Sequence, residues 1–113
     1  MKDSLVILWT SADPITAEFM VFMYAKNAKA RGWWKNVKIV IWGASAKLVA
    51  ENRNIQLGIA DLKQHGVEIS CCVSCARELE VADKLIDLNL ELIKWGVPLT
   101  EVIKDDKQYL VTI

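Results

Sequence analysis

The chain has 113 residues, which is enough for one domain with its own core and requires no disulfide or metal to fold. Hydrophobic residues make up 53% of the sequence, which excludes a disordered chain. Fourteen basic and fourteen acidic side chains cancel, which argues against a nucleic-acid-binding protein with a basic face. We therefore predict a single domain over residues 1–113 without a direct nucleic-acid partner.

Cellular location is predicted from the first apolar run and from the cysteine count. The run at residues 5–9 is too short for a signal peptide, and no stretch of the sequence has the length of a membrane span. The chain has three cysteines, an odd number that cannot pair completely within one chain. A reducing compartment suits such a chain. We predict a cytoplasmic protein with no membrane association.

Strand-like and helix-like segments alternate along the chain. Residues 5–9 are continuously apolar, as in a strand buried on both faces. Asp13 and Pro14 are an N-cap and a first helical residue, and Gly32 ends that helix near residue 31. The other predicted elements, in chain order, are a strand at 37–42, helices at 46–51 and 55–65, a strand at 67–72, a short helix at 74–79, a strand at 90–93, a helix at 99–104 and a strand at 109–113.

This alternation is typical of right-handed strand–helix–strand units. We predict an α/β fold: a three-layer α/β/α domain with a mainly parallel sheet of about five strands.

The first helix has more apolar surface than one sheet contact requires. Ile15, Phe19, Phe22 and Met23 form one apolar stripe at helical spacing. Other apolar residues extend the surface beyond it: Ala17, Met20, Val21, Tyr24, Ala25 and Ala28. This surplus either packs under neighbouring loops or forms a subunit contact, and we favour the contact because large apolar patches mark interfaces.

The carboxyl ends of the predicted strands are where open parallel sheets bind ligands. Three of the five tryptophans lie at or just after such ends. We predict a partly apolar pocket there, although bulky aromatics at strand ends also serve as ordinary core packing. Its expected lining is Trp9, Thr10, Ser11, Trp42, Gly43, Ser74, Trp95 and Gly96.

A cysteine cluster, Cys71-Cys72-Val73-Ser74-Cys75, spans the third strand and the following helix. Strand alternation places Cys71 with the apolar Val67 and Ile69, which predicts an inert core thiol. Cys72 points to the other face and precedes the helix, where a thiolate is favoured. Ser74 is the expected N-cap of that helix.

Four interpretations of the cluster remain open from the residues alone. In the first interpretation, all three cysteines are buried and inert. A zinc site is weaker, because the cluster and the distant His65 make a poor tetrahedral set, so no metal and no cofactor are predicted. Cys72 and Cys75 have the spacing of a redox dithiol, but no glycine or proline lies between them. The fourth is sulfur carriage.

Sulfur carriage is suggested by a resemblance. The segment from Gly66 to Ala76, with the strand-Trp42-Gly43 turn and the region between Gly96 and Tyr109, resembles the DsrE/DsrF-like family, which includes YchN- and TusD-type proteins. The resemblance extends over nearly the whole chain and implies an α/β/α fold and a homotrimer or homohexamer.

For function, the resemblance implies a persulfide on Cys72, and Cys75 matches a second cysteine found in some members. We predict that Cys75 is a resolving or assisting thiol. Sulfur donor and acceptor proteins are then the expected partners, and the activity would be sulfurtransferase-like. One departure is that the Arg-Gly pair of many members is replaced here by Glu78-Leu79-Glu80. A non-catalytic oligomeric protein that binds a small ligand and has passive cysteines is the alternative.

Overall fold

A computed structural model describes residues 3–113. Its five strands form one sheet in the order β4-β3-β2-β1-β5, and every neighbouring pair is parallel. The strands are β1 (Ser4–Trp9), β2 (Asn36–Ile41), β3 (Glu68–Cys72), β4 (Glu91–Ile93) and β5 (Gln108–Thr112).

The first helix is continuous but changes pitch. It begins as α1 (Pro14–Thr16), continues through a π-helical stretch (Ala17–Phe22) and ends as α2 (Met23–Ala30). The other helices are α3 (Ala44–Glu51), α4 (Arg53–Gln64), α5 (Val73–Glu78), α6 (Ala82–Asp87) and α7 (Gly96–Lys104). The sequence predicted all of these except α6, whose N-cap, Val81, offers no side-chain hydrogen bond and so no recognisable start signal.

The sheet separates two helical layers of unequal size. Side chains from α2 to α6 and from the π-helical stretch pack on one face, which we call the main face, in a core that includes Ile7, Ile39 and Ile69. On the other face, the α7 face, a smaller core joins Val6, Val40 and residues at and after the start of α7. The three-layer α/β/α prediction is therefore confirmed.

The side of the first helix that faces the sheet is not the side that carries the large apolar residues Ile15 and Phe19. Small or branched residues such as Ala17, Val21 and Ala25 are fully buried on the main face. Ile15 and Phe19 are instead 67% and 63% exposed. Because a π-helical turn holds more residues than an α turn, it offsets the side chains on either side of it and divides the predicted stripe.

None of the helices within residues 3–113 is both long enough and apolar enough to cross a membrane.

Candidate functional site: a cysteine pair at the end of β3

Cys72 and Cys75 lie on the first turn of α5. Cys72 is the last residue of β3 and the N-cap of the helix, with extended backbone angles (φ −66°, ψ 117°). Cys75 is the third residue of the helix, and side chains at the N-cap and third positions approach each other across the first turn. The expected N-cap, Ser74, is instead an exposed second helical residue, because the chain turns into the helix two residues earlier than predicted.

The two sulfur atoms are in hydrogen-bonding contact. Burial raises the pKa of the Cys75 thiol, and its hydrogen bond with Cys72 raises that pKa further because the protonated thiol donates to the Cys72 sulfur. The main-chain N–H of Gly43 donates to the Cys75 sulfur, and this contact lowers the pKa of Cys75. Cys75 therefore links the end of β2 to the Cys72 sulfur.

Exposure differs between the two members of this pair. Cys75 is half-buried, whereas Cys72 is only 4% exposed. The Cys72 side chain is therefore largely shielded from solvent, whereas part of Cys75 is accessible to it.

Cys71 points away from its neighbour Cys72, because successive residues of a strand face opposite sides of the sheet. It has no exposed surface and belongs to the main-face core, as strand alternation predicts. Burial, with smaller contributions from Cys72 and Cys75, raises the pKa of Cys71 to about 12. The Cys71 thiol is thus protonated at neutral pH and chemically quiet.

The turn after β2 is held by Ser45, a residue that the sequence reasoning missed. The Ser45 hydroxyl lies 2.6 Å from the carbonyl oxygen of Trp9 and accepts a 3.1 Å hydrogen bond from the N–H of Trp42. Gly43 follows with φ +68° and ψ −131°, a conformation that suits glycine. Ser45 therefore sets the turn whose N–H contacts Cys75, and its only sequence signal is a serine two residues after Gly43.

The three tryptophans of the predicted pocket do not line one wall. Trp9 is fully buried on the main face, where its ring meets that of Phe22 edge-on at 5.3 Å. Trp42 and Trp95 belong to the α7-face core instead. The Trp95 indole donates a 3.0 Å hydrogen bond to the buried Ser70 hydroxyl and is only 4% exposed.

The remaining predicted pocket residues are held by local contacts. Thr10 donates from both its N–H and its hydroxyl to the carbonyl of Ile113, at 2.6 and 3.1 Å. This contact closes the ends of β1 and β5, where the strand order reverses and where such sheets often bind ligands. The Ser11 hydroxyl accepts from the N–H of Asp13, and Gly96 is the exposed first residue of α7.

A shallow apolar groove lies between α3 and the end of α5. Leu79 lies one helical turn after Cys75, and Ala44 follows the glycine that contacts the Cys75 sulfur. The groove has a volume of about 250 Å³ and is lined by Ala12, Ala44, Lys47, Leu48, Glu51 and Leu79. Neither Cys72 nor Cys75 is among its lining residues.

Within residues 3–113, no three histidine, cysteine or acidic side chains converge in a way that could hold a metal ion. The site itself contains two thiols, those of Cys72 and Cys75.

The fold and the site define a class: a small α/β/α protein with a thiol pair at the carboxyl edge of a parallel sheet. The chain belongs to the DsrE/DsrF-like family, whose family model matches residues 3–110. This family is associated with sulfur relay.

A solved structure has nearly the same fold. It is a conserved protein of unknown function from Bacteroides thetaiotaomicron, with 40% sequence identity and a TM-score of 0.93 over 98% of this chain and 95% of that chain. No curated protein matches the sequence. The family and the fold therefore agree with the resemblance seen in the sequence.

Proposed function

We propose that this protein is a sulfur carrier in a cytoplasmic sulfur relay and that it holds a sulfane sulfur as a persulfide on Cys72. A donor protein supplies the sulfur and an acceptor protein removes it. The observation that carries the proposal is the placement of Cys72 and Cys75 at the N-cap and third positions of α5, where their side chains share one turn.

Cys75 lies where it can act on a sulfur carried by Cys72, because the two residues share the first turn of α5. The thiolate is the form of cysteine that attacks a sulfane donor. A persulfide is more acidic than a thiol, and we expect its anion to accept hydrogen bonds from the same side. Cys75 in this state is an assisting residue, because it keeps its own proton.

The burial of Cys72 is compatible with carriage. Cys72 is 4% exposed as a residue, which shields its side chain from dissolved thiols that would otherwise remove the outer sulfur atom. Loading then requires a small sulfane species or a partner protein that contacts the chain beside the half-buried Cys75. This limits the transfer to molecules that fit the site.

The test is to expose the reduced protein to inorganic polysulfide, remove the excess and locate the added sulfur by peptide mass spectrometry. We expect the sulfur on Cys72 in the wild type and in Cys71→Ala. We expect Cys72→Ser to lose this loading. Sulfur found mainly on Cys71, or equal loading of Cys71→Ala and Cys72→Ser, would overturn the proposal.

A passive binding protein is the second candidate, and the burial of both Cys71 and Cys72 favours it. Native-state alkylation with iodoacetamide separates the two functions. A carrier should show a Cys72 that reacts at neutral pH faster than Cys71, whereas passive cysteines should leave both unmodified until the protein unfolds.

A further inference from the structure

The first turn of α5 places a second thiol where it can attack a loaded Cys72. The N-cap and third helical positions bring the Cys72 and Cys75 side chains together, and their sulfurs already share a hydrogen bond. To form a bond, the two sulfurs must move closer together within the first turn of α5. Both residues can stay at the junction of β3 and α5 while they do so.

We infer that Cys75 is the resolving thiol of the carrier and discharges a Cys72 persulfide as hydrosulfide, leaving a Cys72–Cys75 disulfide. This inference rests on the proposed function, because it requires a persulfide on Cys72. It adds an activity to carriage: the reduction of sulfane sulfur to sulfide at the expense of the thiol pair.

The reaction balances without an outside oxidant. The Cys75 sulfur attacks the inner sulfur of the persulfide anion, and the bond between inner and outer sulfur breaks. The outer sulfur leaves with the electron pair of that bond and takes the proton of Cys75, which gives hydrosulfide. The sulfane sulfur is reduced while Cys72 and Cys75 are oxidised to the disulfide, and an external dithiol would be needed only for a second turnover.

Two features of the site assign this role to Cys75. Cys71 is fully buried in the main-face core, and strand alternation turns its side chain away from that of Cys72. The Gly43 N–H donates to the Cys75 sulfur and holds it next to Cys72. Gly43 is therefore a positioning residue for the resolving sulfur.

The experiment follows single-turnover sulfide release. Reduced wild-type protein, Cys75→Ser and Cys71→Ala are loaded with inorganic polysulfide, freed of excess reagent and incubated without reductant. Hydrosulfide is measured over time, and the Cys72–Cys75 peptide is examined for the loss of two hydrogens that marks a disulfide. Cys75→Ala is a second variant, and thermal unfolding checks that each variant is folded.

We expect wild type and Cys71→Ala to release one hydrosulfide for each disulfide formed. The two Cys75 variants should load on Cys72 and lose both release and disulfide. If wild type loads on Cys72 but releases no more sulfide than Cys75→Ser, the resolving role is wrong and the carrier function stands. If no variant and no wild-type protein loads on Cys72, the carrier function fails and the inference fails with it.

Discussion

The main-chain N–H of Gly43 donates a hydrogen bond to the sulfur of Cys75 and thereby joins the end of β2 to the first turn of α5. Parallel pairing of β2 with β3 makes this contact possible, because Ile41 and Cys71 are register partners and both strands end at the same edge. The position of the Cys75 sulfur therefore depends on the turn after β2 as well as on α5.

Ser45→Ala should destabilise the protein and disturb the cysteine pair. It removes a buried hydroxyl that binds the Trp9 carbonyl at 2.6 Å and the Trp42 N–H at 3.1 Å. Loss of these bonds should cost about 1 to 3 kcal/mol in the free energy of unfolding, measured by urea denaturation. Ser74→Ala is the matched control and should change it by less than about 0.5 kcal/mol, because Ser74 is exposed. Equal effects of the two substitutions would contradict the support assigned to Ser45.

Stability should fall at alkaline pH partly because of Cys71. Its pKa is raised from 9.0 to about 12 in the folded protein, so the unfolded chain loses this proton first as pH rises. Well below pH 9 the thiol is protonated in both the folded and the unfolded chain, so Cys71 causes no loss of stability there. By pH 10 the loss should amount to about 1.4 kcal/mol in the free energy of unfolding. Urea denaturation of wild type and Cys71→Ala at pH 7 and pH 10 measures it. Cys71→Ala should lose less stability over this range by about that amount; parallel losses would show that Cys71 ionises normally in the fold.

Gly58→Ala should destabilise the packing between α4 and the first helix. A β-carbon at this position would lie 2.7 and 2.8 Å from two ring carbons of Phe22. The ring cannot move freely, because it is 8% exposed and packs against Trp9. We expect a loss of about 1 to 3 kcal/mol in the free energy of unfolding.

Gly96→Ala is the control for this substitution. Its β-carbon would meet no atom within 4 Å, and we expect a change of less than about 0.5 kcal/mol. If Gly58→Ala lowers the free energy of unfolding no more than Gly96→Ala does, the predicted clash between the new β-carbon and the Phe22 ring is wrong.

The exposed side of the first helix should form a contact between copies of the chain. Ile15, Phe19, Met20 and Met23 are 67%, 63%, 44% and 48% exposed, a concentration of apolar surface that is typical of interfaces. Sedimentation equilibrium at micromolar concentration should therefore give a mass well above the 12.7 kDa of one chain, consistent with a trimer or hexamer. Phe19→Glu should lower that mass.

Ile103→Glu provides the comparison for the interface. Ile103 is equally exposed, at 63%, but lies on α7 on the other side of the sheet. We expect this variant to retain the wild-type mass. A wild-type monomer, or a Phe19→Glu protein that assembles like wild type, would remove the predicted contact.

The sequence by itself determined the parallel α/β architecture, the place of Cys72 at the end of β3 and the quiet nature of Cys71. These features follow from local patterns: continuous apolar runs predict buried strands, and alternation along a strand assigns side chains to faces. The same local signals could not assign the faces of the first helix, since its π-helical stretch changes the side-chain spacing.

Only the tertiary structure decided which residues surround the cysteine pair. Thr10 is bonded to Ile113, Ser45 to Trp9, and Gly43 to Cys75, and each contact joins segments that are distant along the chain. Such contacts depend on strand order and on the helix that fills each space, which single-residue spacing does not specify. For the same reason, Trp9 packs on the opposite side of the sheet from Trp42 and Trp95. Trp9 lies within β1, whereas Trp42 and Trp95 follow β2 and β4, where the path of the chain beyond the strand selects the core.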